Sequence, residues 1–160
     1  MIRNFEPAQP LEPDEPGHVQ WWPALAAGLI AGLVLFVAPR GSPWSTLTFF
    51  APVIVGRTVP ETMGIAFPAA LVIHLGASLL YGVIISVVAA RFAQLRSLIA
   101  GAVAGLILYC LNLGIVTLIA PELRGNEIAV LFTHVVFGLI AGGAYRGLLR
   151  RAARKAETWT

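Results

Sequence analysis

Charged side chains are scarce in this 160-residue chain. Asp, Glu, Lys and Arg make up 12% of the residues, about half of their share in an ordinary soluble domain. Long stretches contain none of them, among them residues 67–90, 97–120 and 128–145. Each stretch is long enough to cross the hydrocarbon core of a bilayer. This scarcity excludes a disordered chain and a conventional soluble enzyme, and it predicts a small all-α integral membrane protein.

Cysteine is nearly absent as well. Cys110 is the only one in the chain, which excludes an intrachain disulfide and a cysteine-rich metal site. The chain also lacks the motifs of nucleotide binding, of a nucleophilic serine and of zinc-dependent hydrolysis. We therefore expect no catalytic residues, no metal site and no enzymatic activity of the chain alone.

The apolar runs predict a four-transmembrane-helix bundle within residues 21–149. We expect the four spans at about residues 22–38, 67–90, 98–119 and 128–149. Residues 44–56 are apolar but only about half as long as a span, which indicates an interfacial or re-entrant segment between spans 1 and 2. An acidic, Pro-rich tail of residues 1–20 precedes the bundle and is expected to be disordered, and a basic tail of residues 150–160 follows it.

Positive charge predicts the orientation of the spans. Eight Lys and Arg residues fall on the side of the two termini and of the link between spans 2 and 3, against three on the other side. The positive-inside rule then makes both termini cytoplasmic. Because this charge adjoins the ends of apolar runs, it indicates topology and no nucleic-acid partner. The basic residues after span 4 set the topology and can also bind anionic lipid: Arg150, Arg151, Arg154 and Lys155.

The chain resembles two copies of one helix pair. An offset of 60 residues aligns span 2 with span 4 and places His74 on His134, while an offset of 73 aligns span 1 with span 3 and places Gly28 on Gly101. Copies of two spans each would share one orientation and be related by an axis near the membrane normal. The alternative is a chance similarity between helices rich in Gly, Ala and Leu.

Small residues recur every four positions within the spans. Lipid gives helices no hydrophobic reason to associate, so helices in a membrane are held together by close backbone contact through such small-residue faces. We expect this helix packing at Gly28, Gly32, Gly82, Gly101, Gly105, Gly138 and Gly142.

Polar residues inside the spans form the candidate site. His74 and His134 each begin a face of small residues, so we expect both to point toward neighbouring helices and not toward lipid. Asn112 on span 3 lies at about the same depth. The three residues predict an intramembrane polar cluster in the outer half of the bundle.

The histidine pair has three interpretations. Two neutral imidazoles can be the axial ligands of a b-type haem, with small residues making room for the ring. The same pair can form a proton relay or an ion pathway. In the third interpretation, which we favour, each His hydrogen bonds to a neighbouring helix and fixes its register, and no cofactor is bound. We expect the tyrosines to anchor or pack: Tyr81, Tyr109 and Tyr145.

Residues 70–150 resemble a family of small bacterial inner-membrane proteins. The likeness lies in IHLGASLLYG (73–82), LIAGAVAGLILYCLN (98–112), Pro121 and FTHVVFGLIAGGAYR (132–146). These segments are similar to the YagU-like proteins, which share a His in two spans, a Gly/Ala-rich span between them and an Arg-rich exit from the last span. The resemblance implies the bacterial inner (cytoplasmic) membrane and singles out His74 and His134. It implies no reaction, because the role of that family is not established.

Thin helices with many small residues bury little surface by themselves and leave outer faces suited to partners. The leading hypothesis is therefore a non-catalytic accessory subunit of a larger bacterial membrane protein complex, for which we expect a respiratory electron-transfer assembly. The alternatives are a bis-His b-type haem electron carrier, with His74 and His134 as ligands, and a small homo-oligomeric transporter or channel. The expected partners are membrane lipids and other membrane protein subunits.

Overall fold

The computed structural model describes residues 18–37, 63–119, 121, 124 and 127–158. Within these ranges the regular structure is helical throughout, with four α-helices and no strand. The helices are α1 (Trp21–Val37), α2 (Met63–Ala89), α3 (Gln94–Ile119) and α4 (Glu127–Glu157). The predicted all-α fold is thus confirmed for the described part of the chain.

Three of the helices are long and apolar enough to cross a membrane: Leu71–Ala89 of α2, α3 and α4. Helix α1 is apolar too, but its 17 residues give a length of only about 26 Å at 1.5 Å per residue. The hydrocarbon core of a bilayer is about 30 Å thick. Length and composition therefore indicate a membrane protein, with α1 at the lower limit of a span.

The helix ends differ from the predicted span ends. Helix α2 begins at Met63, four residues before the predicted span, and α3 begins at Gln94, four residues before the next one. Helix α4 continues past residue 149 to Glu157, so the basic residues belong to a helix. The predicted interfacial or re-entrant segment, residues 44–56, lies outside the described residues, as do residues 1–17 of the acidic tail.

Local hydrogen bonds mark the end of α2 and the beginning of α4. The backbone N–H of Arg91 donates to Val88 at 3.2 Å, and the N–H of Phe92 donates to Ala89 at 3.1 Å, which closes the last turn of α2. At the other end of the molecule, Arg124 donates to the Glu127 carboxylate at 2.7 Å. This places a negative charge on the first turn of α4, where the helix dipole favours it.

The four helices pack so that α1 contacts α2 and α4, α3 contacts α2 and α4, and α2 meets α4 across the centre. The buried side chains are mostly small, with alanine the commonest. The large apolar side chains point outward instead, for example Leu111, Ile115 and Leu118 of α3. This is the arrangement expected when the surroundings of the helices are themselves apolar.

Candidate functional site

Helices α1 and α2 approach each other through glycines. A Cβ atom added at Gly28 would collide with the carbonyl oxygen of Ser78 and would lie 2.8 Å from the Cα of Gly82. A Cβ atom added at Gly82 would collide in turn with the backbone of Gly28 and would lie 3.1 Å from the carbonyl oxygen of Ala24. Backbone atoms cannot move aside as a flexible side chain can. Only glycine therefore permits this separation of the two helices.

Helices α3 and α4 approach each other in the same way. A Cβ atom added at Gly101 would collide with the carbonyl oxygen of Gly138 and would lie 3.4 Å from the Cα of Gly142. One added at Gly105 would collide with the carbonyl oxygen of His134. All the glycines that the sequence marks for helix packing thus lie in contacts between helices of this chain.

Several contacts of the two helix pairs correspond under the sequence offsets of 73 and 60. In the first pair, a Cβ atom at Gly28 would meet the carbonyl oxygen of Ser78 and the Cα of Gly82. In the second pair, a Cβ atom at Gly101 would meet the same two atoms of the corresponding residues, Gly138 and Gly142. The aromatic neighbours of the histidines match as well. The ring centroids of Phe36 and His74 are 5.7 Å apart, and those of the corresponding Tyr109 and His134 are 5.9 Å apart. These contacts therefore correspond under the same two offsets that align the spans in the sequence.

His74 ties α2 to α1. Its Nε2 lies 3.1 Å from the carbonyl oxygen of Gly32. A carbonyl oxygen only accepts, so Nε2 is the nitrogen that carries the hydrogen and donates. The backbone carbonyl of His74 itself accepts a hydrogen bond of 2.7 Å from the Ser78 hydroxyl. His74 is half-buried between the two helices of the first pair.

His134, Asn112 and Tyr81 form a hydrogen-bonded chain across α4, α3 and α2. The Nδ1 of His134 lies 2.8 Å from the carbonyl oxygen of Val130, one turn earlier in α4. Its Nε2 lies 2.9 Å from the side-chain nitrogen of Asn112. The Tyr81 hydroxyl donates to the side-chain oxygen of Asn112 at 2.8 Å. One amide side chain thus joins two helices to its own.

For a neutral His134, the chemistry of these groups determines which group donates and which accepts in each hydrogen bond. The Val130 carbonyl only accepts, so Nδ1 of His134 carries a hydrogen. A neutral imidazole then accepts at Nε2, which requires an N–H of the Asn112 amide to face it. The amide oxygen is left to accept from Tyr81. All three hydrogen bonds are therefore consistent with a neutral His134.

The structure divides the predicted polar cluster. It joins Asn112 to His134, whereas His74 bonds within the first helix pair. It also adds Tyr81, which the sequence analysis assigned to anchoring or packing. A signal was available in the sequence: Tyr81 follows His74 by seven residues, about two helical turns, and so lies on the same face of its helix.

Haem ligation would need the same ring nitrogens. Both nitrogens of His134 and the Nε2 of His74 lie within hydrogen-bond distance of protein groups. The glycines expected to make room for a ring contact the backbone of the adjacent helix. Binding a haem in this arrangement therefore requires that these bonds break and that the helices of a pair separate. The bis-His haem carrier stays a prediction from the sequence.

A second set of buried polar groups lies near the basic end of α4. Tyr145 is fully buried, and its hydroxyl accepts a 3.1 Å hydrogen bond from the backbone N–H of Gln20, just before α1. The next residue, Arg146, is buried as well. The offset of 60 aligns Arg146 with Ser86 of α2, which is also buried. The remaining basic residues predicted for lipid and topology lie exposed on the same helix: Arg150, Arg151, Arg154 and Lys155.

Comparisons with models of known protein families, with curated proteins and with solved structures give no match to this chain. The resemblance to the YagU-like proteins accordingly stays a prediction from the sequence.

Proposed function

We propose that this chain is a four-span protein of the bacterial inner membrane that serves as a non-catalytic accessory subunit of a larger membrane protein complex. The observation that carries the proposal is that the polar side chains and the glycines of the interior contact other helices of the same chain. Its histidines and Asn112 bond to other groups of the chain, and its glycine faces pack helix against helix. The interior thus serves to hold the helices together, and the apolar exterior is the surface offered to partners.

The proposed four spans include α1 despite its length. Helix α1 packs along α2 and α4, and its contacts with α2 repeat those of α3 with α4. Trp21 and Trp22 are exposed at its first turn, where aromatic side chains commonly anchor a helix at the membrane surface. A duplicated helix pair with one orientation, and with both termini cytoplasmic, accounts for these features.

Two outward glycines favour a protein partner. A Cβ atom added at Gly76 of α2 or at Gly114 of α3 would meet nothing within 4 Å, and both residues are exposed. Glycine in a helix is less favourable than alanine by about 1 kcal/mol, and packing within this chain gives no reason for it here. Close approach of a helix from another subunit would give one.

The test is purification from the native membrane in a mild detergent, followed by native mass spectrometry. We expect larger polypeptides in fixed stoichiometry with this chain, and their identities test the respiratory assembly. Gly76→Leu and Gly114→Leu should each weaken this association without lowering the unfolding temperature of the chain. Ile107→Leu, also on the exposed side of α3, is the matched control and should leave the complex intact.

Two outcomes would contradict the subunit proposal. A defined homo-oligomer that contains no other polypeptide would favour the transporter or channel. A reduced-minus-oxidised absorbance spectrum with a haem α-band, lost in both His74→Ala and His134→Ala, would make the protein a cytochrome. A complex with other polypeptides whose association depends on Gly76 or Gly114, and whose absorbance spectrum is unchanged in His74→Ala and His134→Ala, supports the proposal.

A further inference from the structure

The end of the molecule that holds the α2–α3 link carries a concentration of positive charge. Arg91 and Arg96 are exposed in and just after the link. The exit of α4 lies at the same end, because Ala89, Ala90 and Leu149 belong to one buried cluster. We call the following exposed residues the cationic collar: Arg91, Arg96, Arg150, Arg151, Arg154 and Lys155. Glu157 is the only acidic residue in residues 90–97 and 146–158.

Helix α4 presents its share of the collar on one face. Its 31 residues extend about 46 Å, which exceeds the hydrocarbon thickness by roughly 16 Å. At about 100° per residue, its four collar residues fall within an arc of roughly 140°. Leu149, which is buried against α1 and α2, lies on the opposite side of the helix. The charges therefore point away from the packed helices and emerge where α4 leaves the apolar region.

We propose that the cationic collar binds the headgroups of anionic phospholipids at the cytoplasmic surface of the membrane. The long stems of Arg and Lys can lie along apolar surface while their charged ends reach the phosphate level. The guanidinium groups can also donate paired hydrogen bonds to phosphate oxygens. If the basic residues served only to set the topology, they would have no further role once the chain is inserted. If they bind headgroups, the folded protein keeps a preference for anionic lipid.

This inference rests on the membrane placement proposed above and not on the role as a subunit. Each cation near an anionic membrane surface strengthens binding by about fivefold. Loss of a single collar residue should therefore weaken binding of anionic lipid by about that factor. Loss of the four collar residues of α4 should remove most of the preference for anionic over zwitterionic lipid, and further loss of Arg91 and Arg96 should abolish it.

The experiment measures lipid binding to the purified full-length chain by native mass spectrometry. Phosphatidylglycerol and phosphatidylethanolamine are added in equal amounts to separate samples in mild detergent. We expect the wild-type chain to bind more phosphatidylglycerol, and the difference to shrink as salt is added. The variant R150Q/R151Q/R154Q/K155Q should lose most of this difference, and the same variant with R91Q/R96Q added should bind the two lipids equally.

Two further variants separate headgroup binding from a loss of structure. Arg124→Gln removes an exposed cation at the opposite end of the molecule and should bind phosphatidylglycerol as the wild type does. R150K/R151K/R154K/K155R keeps the charge and should keep the preference. Equal binding of both lipids by the wild type would overturn the inference, as would an unchanged preference in the quadruple Gln variant with an unfolding temperature like that of the wild type.

Discussion

Asn112 has an unusual position among the polar residues, because its amide serves two neighbouring helices at once. It donates to His134 and accepts from Tyr81, so both ends of one side chain are in use. An interhelical hydrogen bond in a membrane protein contributes only about 0.6 to 2 kcal/mol. Such bonds nevertheless fix which faces of the helices meet, since an amide in any other orientation would leave its partners unpaired.

The first prediction concerns this amide. Asn112→Leu removes both bonds and should lower the free energy of unfolding by about 1 to 3 kcal/mol, because the hydroxyl of Tyr81 and the Nε2 of His134 lose their partner. The measurement is unfolding in mixed detergent followed by circular dichroism. Thr117→Val, on the exposed side of the same helix, is the control. Equal stability of the two variants would show that the chain of hydrogen bonds contributes nothing.

At the scale of the helices, the glycines divide into two groups with opposite expected behaviour. Most of those between helices, such as Gly28 and Gly101, touch backbone atoms of the neighbouring helix, whereas Gly76 and Gly114 have free space beside them. An added methyl group is a steric problem in the first group and an improvement of helix propensity in the second. Gly→Ala should therefore destabilise the protein at positions of the first group and not at positions of the second.

The second prediction follows from this division. Gly101→Ala should lower the free energy of unfolding by about 1 to 3 kcal/mol, because its Cβ would meet the carbonyl oxygen of Gly138. Gly28→Ala, the equivalent change in the first helix pair, should lower it by a similar amount. Gly114→Ala should leave it unchanged or raise it by up to about 1 kcal/mol. Thermal unfolding of the three variants in one detergent checks the order, and a destabilised Gly114→Ala would contradict it.

The helices could be predicted from the sequence to a large extent. Charge-free runs gave the cores of α2, α3 and α4, because charges are costly in lipid. The predicted span ends at about residue 149 because the apolar run stops there, whereas the helix that contains it extends further. The residues that follow are mainly Ala, Arg and Lys, which are strong helix formers, and the helix continues through them to Glu157.

The candidate site was predictable only in part. The four-residue spacing pointed to the glycine faces, and the isolated polar residues pointed to His74, Asn112 and His134. The partners of these side chains depend on which helices are neighbours, and local spacing does not contain that information. Tyr81 was assigned to packing for this reason, although its hydroxyl reaches Asn112.

At the scale of the whole molecule, the proposed topology yields a third prediction. Cys110 is the only cysteine, so a Cys110→Ser chain accepts single cysteines at chosen positions. Glu157→Cys and Arg91→Cys should react with a membrane-impermeant thiol reagent only after the cytoplasmic side is opened. Arg124→Cys should react in intact spheroplasts. Labelling of positions 124 and 157 from the same side would refute an arrangement with α4 across the membrane.

The close contact between glycines restricts how this protein can move. Within each helix pair the backbones touch, so one helix cannot slide along the other without collision. Side chains also meet at the boundary between the pairs, and the hydrogen bonds described above that cross it run from Tyr81 to Asn112 and, nearer the basic end, from Gln20 to Tyr145. In any rearrangement the pair α1–α2 and the pair α3–α4 would therefore each move as a unit. Such a movement would break these two hydrogen bonds.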